Sequence, residues 1–247
     1  MPNIKKTNIT DRILYEDNHI IIINKNTSEI VQGDKTGDTP LSETVKEYLR
    51  EKYNKKGNIF VGVIHRIDRP VSGCVIFAKT DKALTRMNKL IHDRAIKKIY
   101  WAVVKNKPPK ESDRLLHYLS KNEKQNKSYS VKKDDKNASK AELDYRIIGK
   151  SDLYYLLEIE LHTGRHHQIR AQLAEIGCPV KGDLKYGYPR SNKDAGIHLH
   201  ASSIEFIHPV KNEKIKVIAE PPDDSLWNYF VSKRITHAVE QNADNTD

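Results

Sequence analysis

The chain has 247 residues, 37% of them apolar and 31% charged, which is long enough to bury a full core and unlike the composition of a disordered chain. Forty-three Lys and Arg against 33 Asp and Glu leave a net charge of +10, a balance that suits a polyanionic partner without choosing among RNA, DNA and anionic lipid. The N-terminus lacks the apolar core of a signal peptide, and the longest aliphatic run, 20–23, is far too short to span a bilayer, so a cytoplasmic protein with no membrane partner is expected.

In chain order, two β-prone runs, 13–15 and 20–23, flank the turn residues Glu16-Asp17-Asn18 and read as a hairpin. Thr39-Pro40 offers a cap and a first-turn proline to a helix carrying Leu41, Val45, Tyr48 and Leu49 at helical spacing. Short apolar strands are expected at 59–64 and 74–78, with Pro70 and Gly73 breaking the chain between them, so Asp68 falls on the connecting loop. A helix over 81–97 shows Leu84, Met87 and Ile91 on one face, and 100–104 returns as a strand.

Residues 105–140 hold eleven Lys and Arg against five Asp and Glu with few aliphatics, and read as an exposed basic insertion. Leu157, Ile159 and Leu161 alternate with Glu158 and Glu160 as in a half-buried strand. Thr163-Gly164 then opens a helix with Ile169, Leu173 and Ile176, ended by Gly177 and Pro179. No repeat or linker divides the chain, so one catalytic domain is expected over 11–232, after an N-terminal extension (1–10) and before a polar, mobile tail (233–247). Interspersed strands and helices with hairpins give the class α+β.

Three places could carry chemistry. Asp68 lies between Arg66 and Arg69 on a loop, and nearby cations favour the charged form of a carboxylate, which serves as nucleophile or base. The same residues would also serve a purely structural ion pair. Arg165, read at a helix start, could bind a phosphate or a carboxylate, or belong to a solvated basic helix end. Tyr100, near Lys97 and Lys98, could stack on an unpaired base or sit in the core. The histidines at 162, 166, 167, 198, 200 and 208 lack a metal-binding pattern. Cys74 and Cys178 lack CxxC spacing and read as small buried hydrophobes, so no metal is expected. Walker, GxGxxG and GxSxG signatures are likewise missing.

Taken together, three segments resemble the RluA-type pseudouridine synthases, which modify ribosomal and transfer RNA. His65-Arg66-Ile67-Asp68-Arg69-Pro70-Val71-Ser72-Gly73 is similar to the family's HRLDRxxSG motif. Lys97-Lys98-Ile99-Tyr100-Trp101-Ala102 is similar to KxYxA, and Thr163-Gly164-Arg165-His166-His167-Gln168-Ile169-Arg170 to TGRxHQIR. The stretches 177–183, 199–201 and 206–209 agree, and the likeness runs in order over about 12–220. Three departures stand out: 24–30 replaces the usual NKPxGL turn, His166 stands where Thr is usual, and Pro70-Val71 replaces Asp-Thr.

The resemblance implies a central mixed, mainly antiparallel sheet flanked by helices, with a basic cleft across it; members often carry an N-terminal S4 domain, and with only about ten residues before the first expected strand none is expected here. It implies Asp68 as the catalytic carboxylate, Arg165 pairing with and orienting it, Tyr100 packing on the uracil, and Arg66 filling the space the flipped base vacates. Arg69, His167, Gln168 and Arg170 would join Arg66 in binding RNA. Because the bond exchange stays within one nucleotide, no cofactor is expected, nucleotide or otherwise. The partner would be structured ribosomal or transfer RNA and the enzyme a monomer. Two rivals remain: a non-catalytic RNA-binding or ribosome-assembly protein on the same fold, and a glycosidase-like hydrolase, for which no second carboxylate is evident.

Overall fold

The computed structural model describes residues 8–233; residues 1–7 of the expected extension and 234–247 of the expected tail lie outside the described residues. A short 3₁₀ turn, Ile9–Arg12, leads into the hairpin β1 (Ile13–Glu16) and β2 (Ile20–Lys25), antiparallel as expected. Helix α1 (Leu41–Lys52) follows, then β3 (Gly62–Val63), β4 (Ser72–Ala78), helix α2 (Asp81–His92) and β5 (Lys97–Val104). Next come β6 (Ser112–Asn122), β7 (Lys127–Val131), β8 (Ser139–Lys150) and β9 (Tyr155–Leu161), then helix α3 (Gln168–Glu175). A 3₁₀ turn (Leu184–Tyr186), β10 (Leu199–Ile207), β11 (Lys214–Ile218) and a helical segment at 225–233, here α4, complete the described chain.

All eleven strands join one sheet in the order β1-β2-β4-β10-β5-β9-β8-β6-β7, with β3 on β4 and β11 on β10. Among the described residues only β10 and β4 pair in parallel, so the sheet is mixed and mainly antiparallel, and with helices on its faces the class is α+β. The sequence explains where the helices lie. Ile20, Ile21, Ile22 and Ile23 are all fully buried, because β2 needs cover on both faces. Ile21 and Ile23 pack with Leu41, Val45 and Leu49 of α1, while Ile20 and Ile22 pack with Ala83 and Met87 of α2. Helix α3 lies on the α1 side, through Ile169 and Leu173, against Leu157 and Ile159 of β9. Trp227 and Phe230 of α4 cover Val103 and Leu156 in a separate cluster.

Several sequence expectations shift. The basic stretch 105–140 is no insertion: β6 and β7 extend the sheet through β8, and Leu115 and Leu119 are buried. Only one face of these strands is covered, so their composition is that of an edge rather than a core. Strand 59–64 shrinks to the two residues of β3, and α2 stops at His92 because Arg94, at φ 55°, turns the chain left-handed. Helix α3 begins at Gln168, several residues beyond Thr163-Gly164, with His167 at φ 52° as its cap.

One glycine sets how closely the two halves of the sheet meet. Gly73 of β4 pairs with Ala201 of β10 at φ +113°, and a Cβ there would lie 2.3 Å from the Ala201 carbonyl oxygen. Gly73→Ala is expected to cost roughly 2–3 kcal/mol through backbone strain and overpacking, read as a lower thermal midpoint. An unchanged midpoint would show that β4 and β10 have room to separate.

Candidate active site

Asp68 lies on the loop between β3 and β4, and its carbonyl accepts from Val71 N at 3.0 Å, closing a tight turn. The turn is held from behind. Lys25 at the end of β2 is fully buried, and its Nζ donates to the carbonyls of Asn26 (2.8 Å), Glu29 (2.9 Å) and Arg69 (3.2 Å). Burial pulls this ammonium down to about 7, while the Glu29 and Asp68 carboxylates hold it up. Three carbonyl acceptors need all three N–H groups of the charged form, since a neutral amine has two, so we read Lys25 as charged. Ser28 N also donates to the Arg69 carbonyl, at 2.9 Å.

Neither arginine flanking Asp68 is bonded to it. Arg66 is exposed, and Arg69 turns outward to Asp38 at 2.6 Å. The partner is Arg170 of α3, 102 residues later, whose Nη1 donates to Asp68 Oδ2 at 2.9 Å. Its Nε and Nη2 form a fork on Asp183, at 2.7 and 2.9 Å, and its guanidinium lies 5.0 Å from the centre of the Tyr186 ring. Asp183 and the adjacent carboxylate outweigh the cost of burying Arg170 and raise its pKa. A bidentate guanidinium–carboxylate pair of this kind fixes direction as well as charge.

His167 stands on the other side of the carboxylate, Nε2 3.6 Å from Asp68 Oδ2 and Nδ1 3.1 Å from the Tyr186 hydroxyl. Burial pulls its imidazole down to about 3, so it is neutral near pH 7. A lone pair facing a carboxylate is repulsive, so the proton belongs on Nε2, and Nδ1 shares the one Tyr186 hydroxyl proton with the Ser128 carbonyl, which lies 3.2 Å from that hydroxyl. Both Arg170 and His167 therefore address Oδ2. No hydrogen bond engages Oδ1 among the described residues, and that oxygen is left available for reaction.

Tyr100 of β5 is 8% exposed and lies on the α1/α3 face of the sheet. Burial, and then the charge of Asp68, push its phenol up, so the hydroxyl stays protonated. A neutral aromatic thus stands near the carboxylate.

Arg165 is the clear correction. It is exposed, its Nε donates to the Lys140 carbonyl at 3.0 Å, and Arg170 takes the place expected of it. Because α3 starts late, Arg165 lies on the preceding loop, whereas Arg170 points inward from the first turn. His167, Gln168 and Arg170 are buried and spend polar atoms on protein partners, whereas Arg66 and Arg69 are exposed, Arg69 in its pair with Asp38. Gln168 Oε1 accepts from Thr163 Oγ1 (2.7 Å) and Arg165 N (3.0 Å), and its Nε2 donates to the Glu142 carbonyl at 3.1 Å. It therefore shapes the loop.

Sequence reasoning assigned no role to Lys25, Asp183 or Tyr186. Asp183 ends the 177–183 stretch that resembled the family, which was its only signal. His166, where Thr is usual, stacks on His167 at 3.8 Å between ring centres and brings Nδ1 within 2.9 Å of Ser128 Oγ, joining β7 to α3. Among the described residues no group of three His, Cys, Asp or Glu side chains is placed to hold a metal.

The arrangement thus places the Asp68 carboxylate, with one oxygen free of hydrogen bonds among the described residues, beside a buried arginine and near a buried tyrosine on a mixed sheet. Residues 19–175 match the family model described as RNA pseudouridylate synthase. The chain is 35% identical over 233 residues to Ribosomal large subunit pseudouridine synthase C of Buchnera aphidicola subsp. Acyrthosiphon pisum, covering 91% of this chain and 71% of that protein. It is 30% identical to Ribosomal large subunit pseudouridine synthase D of Zymomonas mobilis, covering 86% of this chain and 69% of that one. Among solved structures, Human RNA Pseudouridylate Synthase Domain Containing 4 superposes with a TM-score of 0.75 at 20% identity, covering 91% and 93% of the two chains, a likeness of fold. The chain belongs to the RNA pseudouridylate synthase family, in its RluA-type branch, and is an isomerase that converts uridine in RNA to pseudouridine.

Proposed function

We propose that the enzyme modifies large-subunit ribosomal RNA, with Asp68 as the catalytic carboxylate, in a single catalytic domain spanning about 11–232 of a cytoplasmic monomer. The observation that carries this reading is the Arg170 Nη1 to Asp68 Oδ2 bond at 2.9 Å, which occupies one carboxylate oxygen and leaves the other for the nucleotide. Oδ1 acts on the uridine or its ribose, the base detaches, turns and rejoins through carbon. Tyr100 packs on the uracil ring, and the exposed Arg66 fills the space left by the flipped base, offsetting an unstacking cost of about a few kcal/mol.

The ribosomal substrate rests on the names of the relatives above. Exposed lysines at the β6–β7 edge, such as Lys124, add sequence-independent attraction to the phosphate backbone. The test incubates purified protein with ribosomal and transfer RNA from a strain lacking the gene, then digests each and quantifies nucleosides. New pseudouridine in the ribosomal fraction, without released uracil, is expected. Released uracil would point to a hydrolase, conversion confined to transfer RNA would move the substrate, and tight binding without conversion would indicate a non-catalytic RNA-binding protein.

A further inference from the structure

Lys98 and Tyr100 are alternate residues of β5 and share its face, about 7 Å apart along the strand. Lys98 is half-buried, and a methyl group built on Gly164 would stand 3.8 Å from its Nζ. The ammonium therefore rests against the 163–165 loop. It opens into a groove of about 940 Å³ whose lining includes Arg94, Lys98, His162 and Arg165.

Three glutamates also line this groove, but each has its own cation. Glu142 pairs with Lys140 at 2.7 Å, Glu160 with Lys97 at 2.9 Å and Glu205 with Lys214 at 2.7 Å. His162 is taken up by Asp144 at 2.8 Å. Among the described residues, Arg94, Lys98 and Arg165 have no ion-pair partner, and Arg165 commits only its Nε, to a backbone carbonyl. The groove thus carries three uncompensated cations, one of them half-buried. Withdrawing an unpaired ammonium from water is costly, and burial pulls Lys98 below the usual lysine value. An incoming anion would remove that cost.

We propose that Lys98, with Arg165 and Arg94, forms a subsite for a phosphodiester of the RNA strand adjacent to the modified uridine. This rests on the reading of Asp68 and Tyr100 as the uridine site; the link to the groove is Lys98 itself, which lines the groove and stands two residues before Tyr100 on β5. It gives Arg165 a role away from the carboxylate. A strand whose target base lies against Tyr100 is then gripped by its backbone at Lys98, whatever its neighbouring bases.

The test measures equilibrium RNA binding by wild type, Lys98→Met, Arg165→Gln and, as a control, Lys56→Met, which alters an exposed lysine beyond α1. The RNA is unmodified or carries a neutral methylphosphonate at one position at a time around the uridine that wild type converts, or along any RNA it binds if none is converted. Lys98→Met is expected to bind roughly three- to tenfold more weakly near 0.1 M salt, with the slope of log affinity against log salt reduced by about one. One methylphosphonate position should weaken wild type by the same factor and leave Lys98→Met unaffected. Arg165→Gln, a surface change that does not threaten the fold, should lose sensitivity at that phosphate or its neighbour, and Lys56→Met at neither. If every methylphosphonate costs wild type, Lys98→Met and Arg165→Gln equally, or the two variants bind as wild type does, the subsite is wrong. Pseudouridine formation by wild type is scored in the same samples, so failure of the enzymatic reading is seen separately.

Discussion

Asp68→Asn is expected to fold, to bind RNA at least as well as wild type, and to form no pseudouridine, a fall in single-turnover rate of roughly 10⁴-fold or more. The substitution keeps the shape of the side chain, and an amide oxygen can still accept from Arg170, which Asp183 continues to hold through two hydrogen bonds. What disappears is the charged oxygen that neither Arg170 nor His167 occupies. Removing a negative charge also leaves attraction to phosphate undiminished. Conversion by Asp68→Asn at a rate near that of wild type would remove Asp68 from the chemistry.

Arg170→Met should damage both fold and activity. It strands Asp183, which is 1% exposed, and breaking a buried pair from one side costs about 3–5 kcal/mol. For a chain of this size, that lowers the thermal midpoint by roughly 10 °C. Asp68 also loses its orienting bond, so conversion should fall beyond what the unfolded fraction explains. Arg170→Lys separates the two effects. A lysine restores charge but cannot present three N–H groups in a planar fork to two carboxylates. It is expected to recover much of the stability and still lose roughly 10²-fold in rate. Full activity in Arg170→Lys would mean that only charge, not direction, matters at this position.

The ordered motifs around Asp68, Tyr100 and 163–170 made the family readable, and the hairpin β1–β2 and the burial of α1 followed from apolar spacing. The partner of Asp68 did not. Choosing between Arg165 and Arg170 needs the first residue of α3, and a histidine held at φ 52° as its cap delays that start in a way propensity does not reveal. The segment 105–140 misled for a different reason: β6 buries only Leu115 and Leu119, too few apolar positions to mark a strand by period, and the lysines typical of a sheet edge conceal the rest. Lys25 was hidden by type, since a lysine in a turn reads as surface. Only the convergence of three carbonyls, one of them from the Asp68 loop, makes it interior.

The place of β10 has a consequence for how the enzyme comes into being. It lies between β4 and β5 in the sheet, so the strands nearest Asp68 and Tyr100 have no shared neighbour until residues 199–207 exist. During synthesis the nascent chain exposes two unfinished sheet edges for most of its length, and such non-local pairing is slow to form. Catalytic competence therefore arrives late and all at once, and a chain stalled before Leu199 would be a hazard for aggregation rather than a partly active enzyme.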